Sequence, residues 1–243
     1  MRRQSLPVQY VSPLPLQLAA LCDQPVAGMA QALTEELDHL WSTPIQGATP
    51  LVQGFTQEAQ AVFEEIDLEL QASGQLDLRL RPLGLRRWLM ELTEPGAWPS
   101  TWAAGDLLLP KTWPLSDTLR LSPLVLLQHT QMRSGALLDQ LPAMQLPGPR
   151  PAEQTSAEWS AATHKIIWAL VDVIDTLAAA DSQPQMLGKQ ACFLCDAFYQ
   201  WSQHLYRELA IDRALTGLIL QAVHRTLRYL LEERLGIAAA EAE

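Results

Sequence analysis

Six residues near the carboxy-terminus carry side chains suited to a nucleic-acid groove: Arg207, Arg213, Arg225 and Arg228, with Tyr206 and Tyr229 beside them. Guanidinium groups contact phosphate oxygens, and phenol rings stack on unpaired bases. Arginines interleaved with tyrosines therefore suit single-stranded RNA. Arg225 and Arg228 are three apart and share a helix face. The same pattern also fits a solvated stripe in which Glu232 and Glu233 complete ordinary helix ion pairs. A second basic cluster holds Arg79, Arg81, Arg86 and Arg87. It offers phosphate contacts, or else a solvated face paired with nearby acids such as Glu91 and Glu94.

Other reactive residue types do not assemble. Cys192 and Cys195 form a C-x-x-C, but zinc needs four ligands and no second pair exists. A redox pair is expected at a βα junction rather than inside a long helix, so both thiols read as small apolar core groups. His129, His164, His204 and His224 are scattered over four helices without an acid, serine or cysteine partner at a meaningful spacing. Trp159, Trp168 and Trp201 read as core. No glycine-rich phosphate cradle or nucleophile elbow occurs, so no metal, no nucleotide cofactor and no catalytic residues are expected.

The elements that must position these residues fall into two regions. Residues 1–92 read as a small α+β domain. A β-like run covers Pro7 to Val11, and helical spacing covers Pro15 to Cys22, Pro25 to Leu40 and Thr56 to Glu65. Ile66 to Leu70 and Leu76 to Leu80 alternate apolar and polar residues around Ser73-Gly74, which is the pattern of a hairpin. Leu83 to Leu92 read as a short helix. Residues 93–117 form a Trp/Pro-rich connector with Trp98, Trp102 and Trp113, which should pack on something rather than extend freely. Residues 118–243 read as a bundle of four long helices. The first opens at Ser122-Pro123, with Ser as cap and Pro at the first helical position. The next two cover Ser156 to Ala180 and Gln185 to Ala210. The last is capped by Asp212 and stops at Gly236. The fold class is thus mainly α.

Composition narrows the function classes. The 243 residues carry a net charge of -10, and 48% are hydrophobic. Residues 1–117 hold 7 Lys and Arg against 14 Asp and Glu, and residues 118–243 hold 10 against 13. Neither half is the basic module typical of phosphate-backbone binders, so any RNA surface must be a local patch. Three cysteines argue against a disulfide scaffold and for a reducing, cytoplasmic setting. No apolar run is long enough for a membrane span, and Met1-Arg2-Arg3 leads into prolines rather than a secretory core.

Three segments of the helical region resemble the anticodon-binding (DALR) domain of arginyl-tRNA synthetases. Ser122 to Arg133 (SPLVLLQHTQMR) is similar to the segment leading into that domain, with His129 at the family's Tyr position and Gln131 at its His position. Ala197-Phe198-Tyr199-Gln200-Trp201 is similar to its Ala-Phe-Asn-x-Phe-Tyr helix. Arg213-Ala214-Leu215 through Leu235-Gly236-Ile237 resembles its closing helix. The front of the chain resembles the family's additional N-terminal domain through Val11 to Leu21 and through Ser73 to Leu78 followed by Arg87-Trp88-Leu89. Where that domain reads the tRNA D-loop, this chain has Gln75 and Asp77. The His-x-Gly-His and Lys-Met-Ser-Lys motifs of a class I synthetase are absent, and the connector is too short for a nucleotide-binding domain.

The resemblance implies a non-catalytic relative that binds tRNA, with the arginine acceptor as the natural choice, through arginine contacts and aromatic stacking. The second expectation is an adaptor that has lost tRNA and binds a protein. The acidic balance, Gln75, Asp77 and the Trp-rich connector favour that one.

Overall fold

The computed structural model describes residues 8–12, 19, 22, 25–42, 62, 64–71, 75–94, 107–114, 120–143, 159–178 and 184–237. The chain is mainly helical with a small sheet. It divides into two compact units, Met1–Glu91 and Leu92–Glu243. Trp98 and Trp102, the Ser73-Gly74 turn and the Pro-rich stretch after residue 143 lie outside the described residues, as does most of the helical spacing over residues 15–22 and 56–65.

In the first unit, strand β1 (Val8–Ser12) and strand β2 (Ile66–Leu70) both pair antiparallel with a central strand, β3 (Leu76–Leu80). Tyr10 and Leu68 face Leu78 from either side. The hairpin closes where the Gln71 N–H donates to the Gln75 carbonyl at 2.8 Å. Helix α1 (Val26–Ser42) starts after Pro25 and touches β2. Helix α2 (Pro82–Thr93) begins with the proline that ends β3, since a proline costs nothing at a first helical position. Its buried Leu85, Leu89 and Leu92 recur at helical spacing. Gly84 lets this helix start close to the sheet: a Cβ there would stand 2.6 Å from the Glu65 Cβ and 2.7 Å from Leu80 Cδ1.

The second unit opens with an extended strap. Leu107 is buried, and its N–H approaches the Arg234 carbonyl at 3.5 Å. The Leu108 N–H donates to the Pro184 carbonyl at 3.3 Å. Part of the Trp/Pro-rich stretch is therefore built onto the helices. Two short strands follow, β4 (Trp113–Pro114) and β5 (Arg120–Leu121), paired antiparallel.

Helix α3 (Pro123–Gln140) begins after Ser122, with Pro at the start of the helix. The Ser122 side chain makes no cap bond; its carbonyl accepts the Leu126 N–H at 3.0 Å instead. Helices α4 (Ala161–Ala178), α5 (Pro184–Ser202), α6 (Leu205–Ile211) and α7 (Arg213–Tyr229) complete the unit. The expected single helix from Gln185 to Ala210 is in fact two. The chain turns at Gln203-His204, where the His204 N–H closes on the Trp201 carbonyl at 3.0 Å and His204 leaves the helical region. Apolar spacing continues through the break in Trp201, Leu205 and Leu209, so periodicity could not reveal it.

Helix α4 packs along α5, while α3 packs along both α7 and α5. The core lies between them and includes Leu127, Ile166, Leu170, Leu194, Phe198, Trp201 and Leu220. Asp212 caps α7 by accepting the Leu215 N–H at 3.0 Å. Beyond Tyr229 the helix widens into a π-turn, Leu230–Arg234. It ends where Gly236 takes a φ of +63°, a left-handed conformation suited to glycine, and the Ile237 N–H folds back to the Leu231 carbonyl at 2.9 Å.

Candidate nucleic-acid interface

The carboxy-terminal arginines and tyrosines separate into distinct settings. Tyr206 and Arg207 are neighbours on α6, and Tyr206 is 71% exposed. Neither side chain has a hydrogen bond or ion pair among the described residues. Arg213 stands in the first turn of α7 and donates from Nη2 to the Leu141 carbonyl at 2.7 Å. A guanidinium at a helix C-terminus meets the negative end of the dipole and satisfies a carbonyl that has no partner in the helix. Arg213 is thereby engaged in holding α3 to α7.

Arg225, half-buried, and Arg228, exposed, lie toward the other end of α7, roughly 18 Å along the axis from Arg213. The four arginines therefore do not line one continuous groove. Arg228 donates from Nε to Glu232 at 2.9 Å, and Arg225 has no such partner among the described residues. Tyr229 is half-buried, with the Arg234 guanidinium 5.7 Å from its ring centre.

The amino-terminal cluster has a different environment. Arg79 sits 2.8 Å from Glu69 and 3.1 Å from Asp77. Asp77 is buried and also accepts from Gln71 Nε2 at 2.7 Å. Arg81 donates from Nε to Asp67 at 2.9 Å, and this hydrogen bond, then the Asp67 charge, raises its pKa. Arg87 approaches Glu65 at 3.7 Å. Glu69 and the buried Asp77 occupy the positions that phosphates would take at Arg79, whereas the Arg81–Asp67 pair is exposed. The acids at Arg79 and Arg81 include Asp67, Glu69 and Asp77 of the sheet and Glu65 of the turn before it.

Two buried polar groupings join residues far apart in sequence. In the first, Trp201 Nε1 donates to Thr163 Oγ1 at 3.1 Å, and Thr163 Oγ1 donates to Glu208 Oε2 at 2.7 Å. Ser160 Oγ stands 3.3 Å from Thr163 Oγ1. Glu208 is buried, and its Oε1 has no hydrogen-bond partner. In the second, His224 Nδ1 lies 3.2 Å from both Ser134 Oγ and the Gln131 carbonyl. His224 reads as one of several scattered histidines because its contacts are across the bundle, 90 and 93 residues away. No local spacing encodes them.

Cys192 and Cys195 are both fully buried. Burial pushes the Cys192 thiol up to about 12 and raises Cys195 as well, which keeps both protonated and unreactive. Among the described residues no group of three His, Cys, Asp or Glu side chains could hold a metal ion, and no helix is long and apolar enough to cross a membrane.

Set beside known proteins, the chain matches no protein-family model, no curated protein and no solved structure.

Proposed function

We propose that this chain is a non-catalytic relative of arginyl-tRNA synthetase whose helical unit is a DALR-type, tRNA-binding module. One observation carries the reading. The three segments that resemble the anticodon-binding domain, Ser122–Arg133, Ala197–Trp201 and Arg213–Ile237, fall on α3, α5 and α7, and these three helices pack on one another.

The chemistry is positioning and stacking rather than bond-making. Tyr206 offers an exposed ring to an unstacked base, a contact of about 1–3 kcal/mol, and Arg207 beside it meets the adjoining phosphate. Arg225 and Arg228 form a second phosphate contact on α7. Their small number accords with an acidic protein that binds through patches.

The test is fluorescence anisotropy with labelled total tRNA and with purified arginine tRNA, at two salt concentrations. The expected result is micromolar or tighter binding that weakens with salt. Tyr206→Ala should weaken it about tenfold. Arg79→Met, which alters a guanidinium held by Glu69 and Asp77, should leave it unchanged. No binding at low salt sinks the reading.

A second reading, a protein-protein adaptor that has lost tRNA, is favoured by a specific surface. Met186 and Phe193, seven residues apart on one face of α5, are 47% and 37% exposed. A chain that binds no tRNA, together with loss of partner binding on Phe193→Ser, would decide for it.

A further inference from the structure

Helices α3 and α7 run antiparallel. Gly135 lies against His224, and Leu141 lies against Gly217 and Arg213. The glycine creates the space for the imidazole: a Cβ at Gly135 would stand 3.1 Å from His224 Cε1 and 3.4 Å from Nδ1. The ring is held at one nitrogen. Ser134 Oγ donates its proton to the Gln131 carbonyl at 2.8 Å, so the oxygens facing Nδ1 act as acceptors. The neutral ring therefore carries its proton on Nδ1 and its lone pair on Nε2.

Arg225, half-buried, follows His224 directly on α7, and the exposed Arg228 stands one turn further on. The Arg225 side chain has no hydrogen bond or ion pair among the described residues. The Arg228–Glu232 pair is exposed, 52% and 33%, so it competes weakly with an incoming anion.

We propose that Arg225, Arg228 and the His224 ring behind them form a phosphate-binding site at the α3–α7 seam, whose filling is coupled to uptake of one proton by His224. The site rests on the reading of Arg225 and Arg228 as RNA-backbone contacts and adds to it a titrating residue and a dependence on pH.

The charged groups around the ring are Asp139 from α3 and Arg228 and Arg225 from α7. Burial lowers the His224 pKa, the Gln131 carbonyl raises it, Arg228 lowers it, Asp139 raises it and Arg225 lowers it. The free protein thus keeps His224 neutral at pH 7. A phosphodiester on the two guanidiniums offsets their repulsion of an imidazolium and raises the pKa. By linkage, whatever promotes protonation on binding makes binding tighter at lower pH. Affinity should rise as pH falls through the bound-state pKa, level off below the free-state pKa, and be flat above both.

Two measurements test this on the full chain. The first is tRNA anisotropy from pH 7.5 to 5.5 for the wild type and for His224→Gln, which is neutral throughout. The wild type should tighten about tenfold for each unit by which the pKa rises on binding. His224→Gln should show no change in affinity over this pH range. The second is NMR titration of the His224 ring with and without inorganic tripolyphosphate. The His224 pKa should rise with the anion, and Arg225→Gln should abolish the rise.

Binding of tRNA without this pH dependence, or a dependence that survives His224→Gln, overturns the inference and leaves the tRNA reading standing. A His224 pKa that tripolyphosphate does not move overturns it irrespective of tRNA. Tripolyphosphate coupling without any tRNA binding keeps the phosphate site and removes the tRNA reading.

Discussion

The indole of Trp201 donates to Thr163 Oγ1 across 3.1 Å, joining α5 to α4 between residues 38 apart in sequence. The same hydroxyl passes its own proton to the buried Glu208 carboxylate. One threonine therefore satisfies an indole N–H and supplies the hydrogen bond that the Glu208 carboxylate receives among the described residues. Thr163→Val keeps the shape and removes both bonds, leaving a buried donor and a buried carboxylate without partners. The expected loss is about 3 kcal/mol of unfolding free energy, measured by urea denaturation. A change under about 0.5 kcal/mol would show that the network contributes nothing.

Gly188 sits under the strap. A Cβ there would stand 2.2 Å from the Leu108 carbonyl oxygen, too close for any accommodation by a side-chain rotation. Gly188→Ala should push residues 107–109 off α5 and cost about 1–3 kcal/mol. Native-state hydrogen exchange reads this directly. The Leu108 amide, bonded to the Pro184 carbonyl, should lose protection while the α4 amides keep theirs. Unchanged protection of Leu108 would refute the account of the strap.

Asp172 and Asp175 share a face of α4. Burial raises the Asp172 pKa, and for Asp175 burial acts first and the Asp172 charge second. A carboxyl whose folded-state pKa lies above its unfolded value binds more protons when folded. Stability from these groups is therefore greatest at low pH and declines as pH rises through the window just above the ordinary aspartate value. Asp172→Asn should accordingly stabilise the protein at pH 7, by a few tenths of a kcal/mol. Relative to the wild type, its advantage should fade as pH is lowered toward 4. A variant that is less stable at pH 7 contradicts this electrostatic reading.

What could be read from the sequence was local. Ile66–Leu70 and Leu76–Leu80 declare a hairpin because alternation over five residues is a property of each strand by itself. Asp212 and Gly236 mark the ends of the last helix because capping is decided within a turn. The break at Gln203-His204 was hidden by apolar residues that keep their spacing across it. The cluster around His224 was invisible for another reason: its partners are reached only when α3 and α7 fold side by side. Arg79 and Arg81 show the converse case. Their basic run is plain in the sequence, but Asp67 and Glu69 reach them from the neighbouring strand through the sheet register Asp67↔Arg79 and Glu69↔Asp77, and Asp77 lies on the strand of Arg79 itself. Arg213 resembles them: its guanidinium is held by a carbonyl 72 residues away.

The π-turn at Leu230–Arg234 presents a backbone carbonyl that meets the Leu107 amide. The strap's first described residue and the end of the last helix are thus stitched together. The two ends of this helical body lie next to each other. A circularly permuted chain, joined by a short linker from Ile237 to Leu107 and reopened in the loop between α3 and α4, should keep the same packing, because the new peptide would span a gap the fold has already closed.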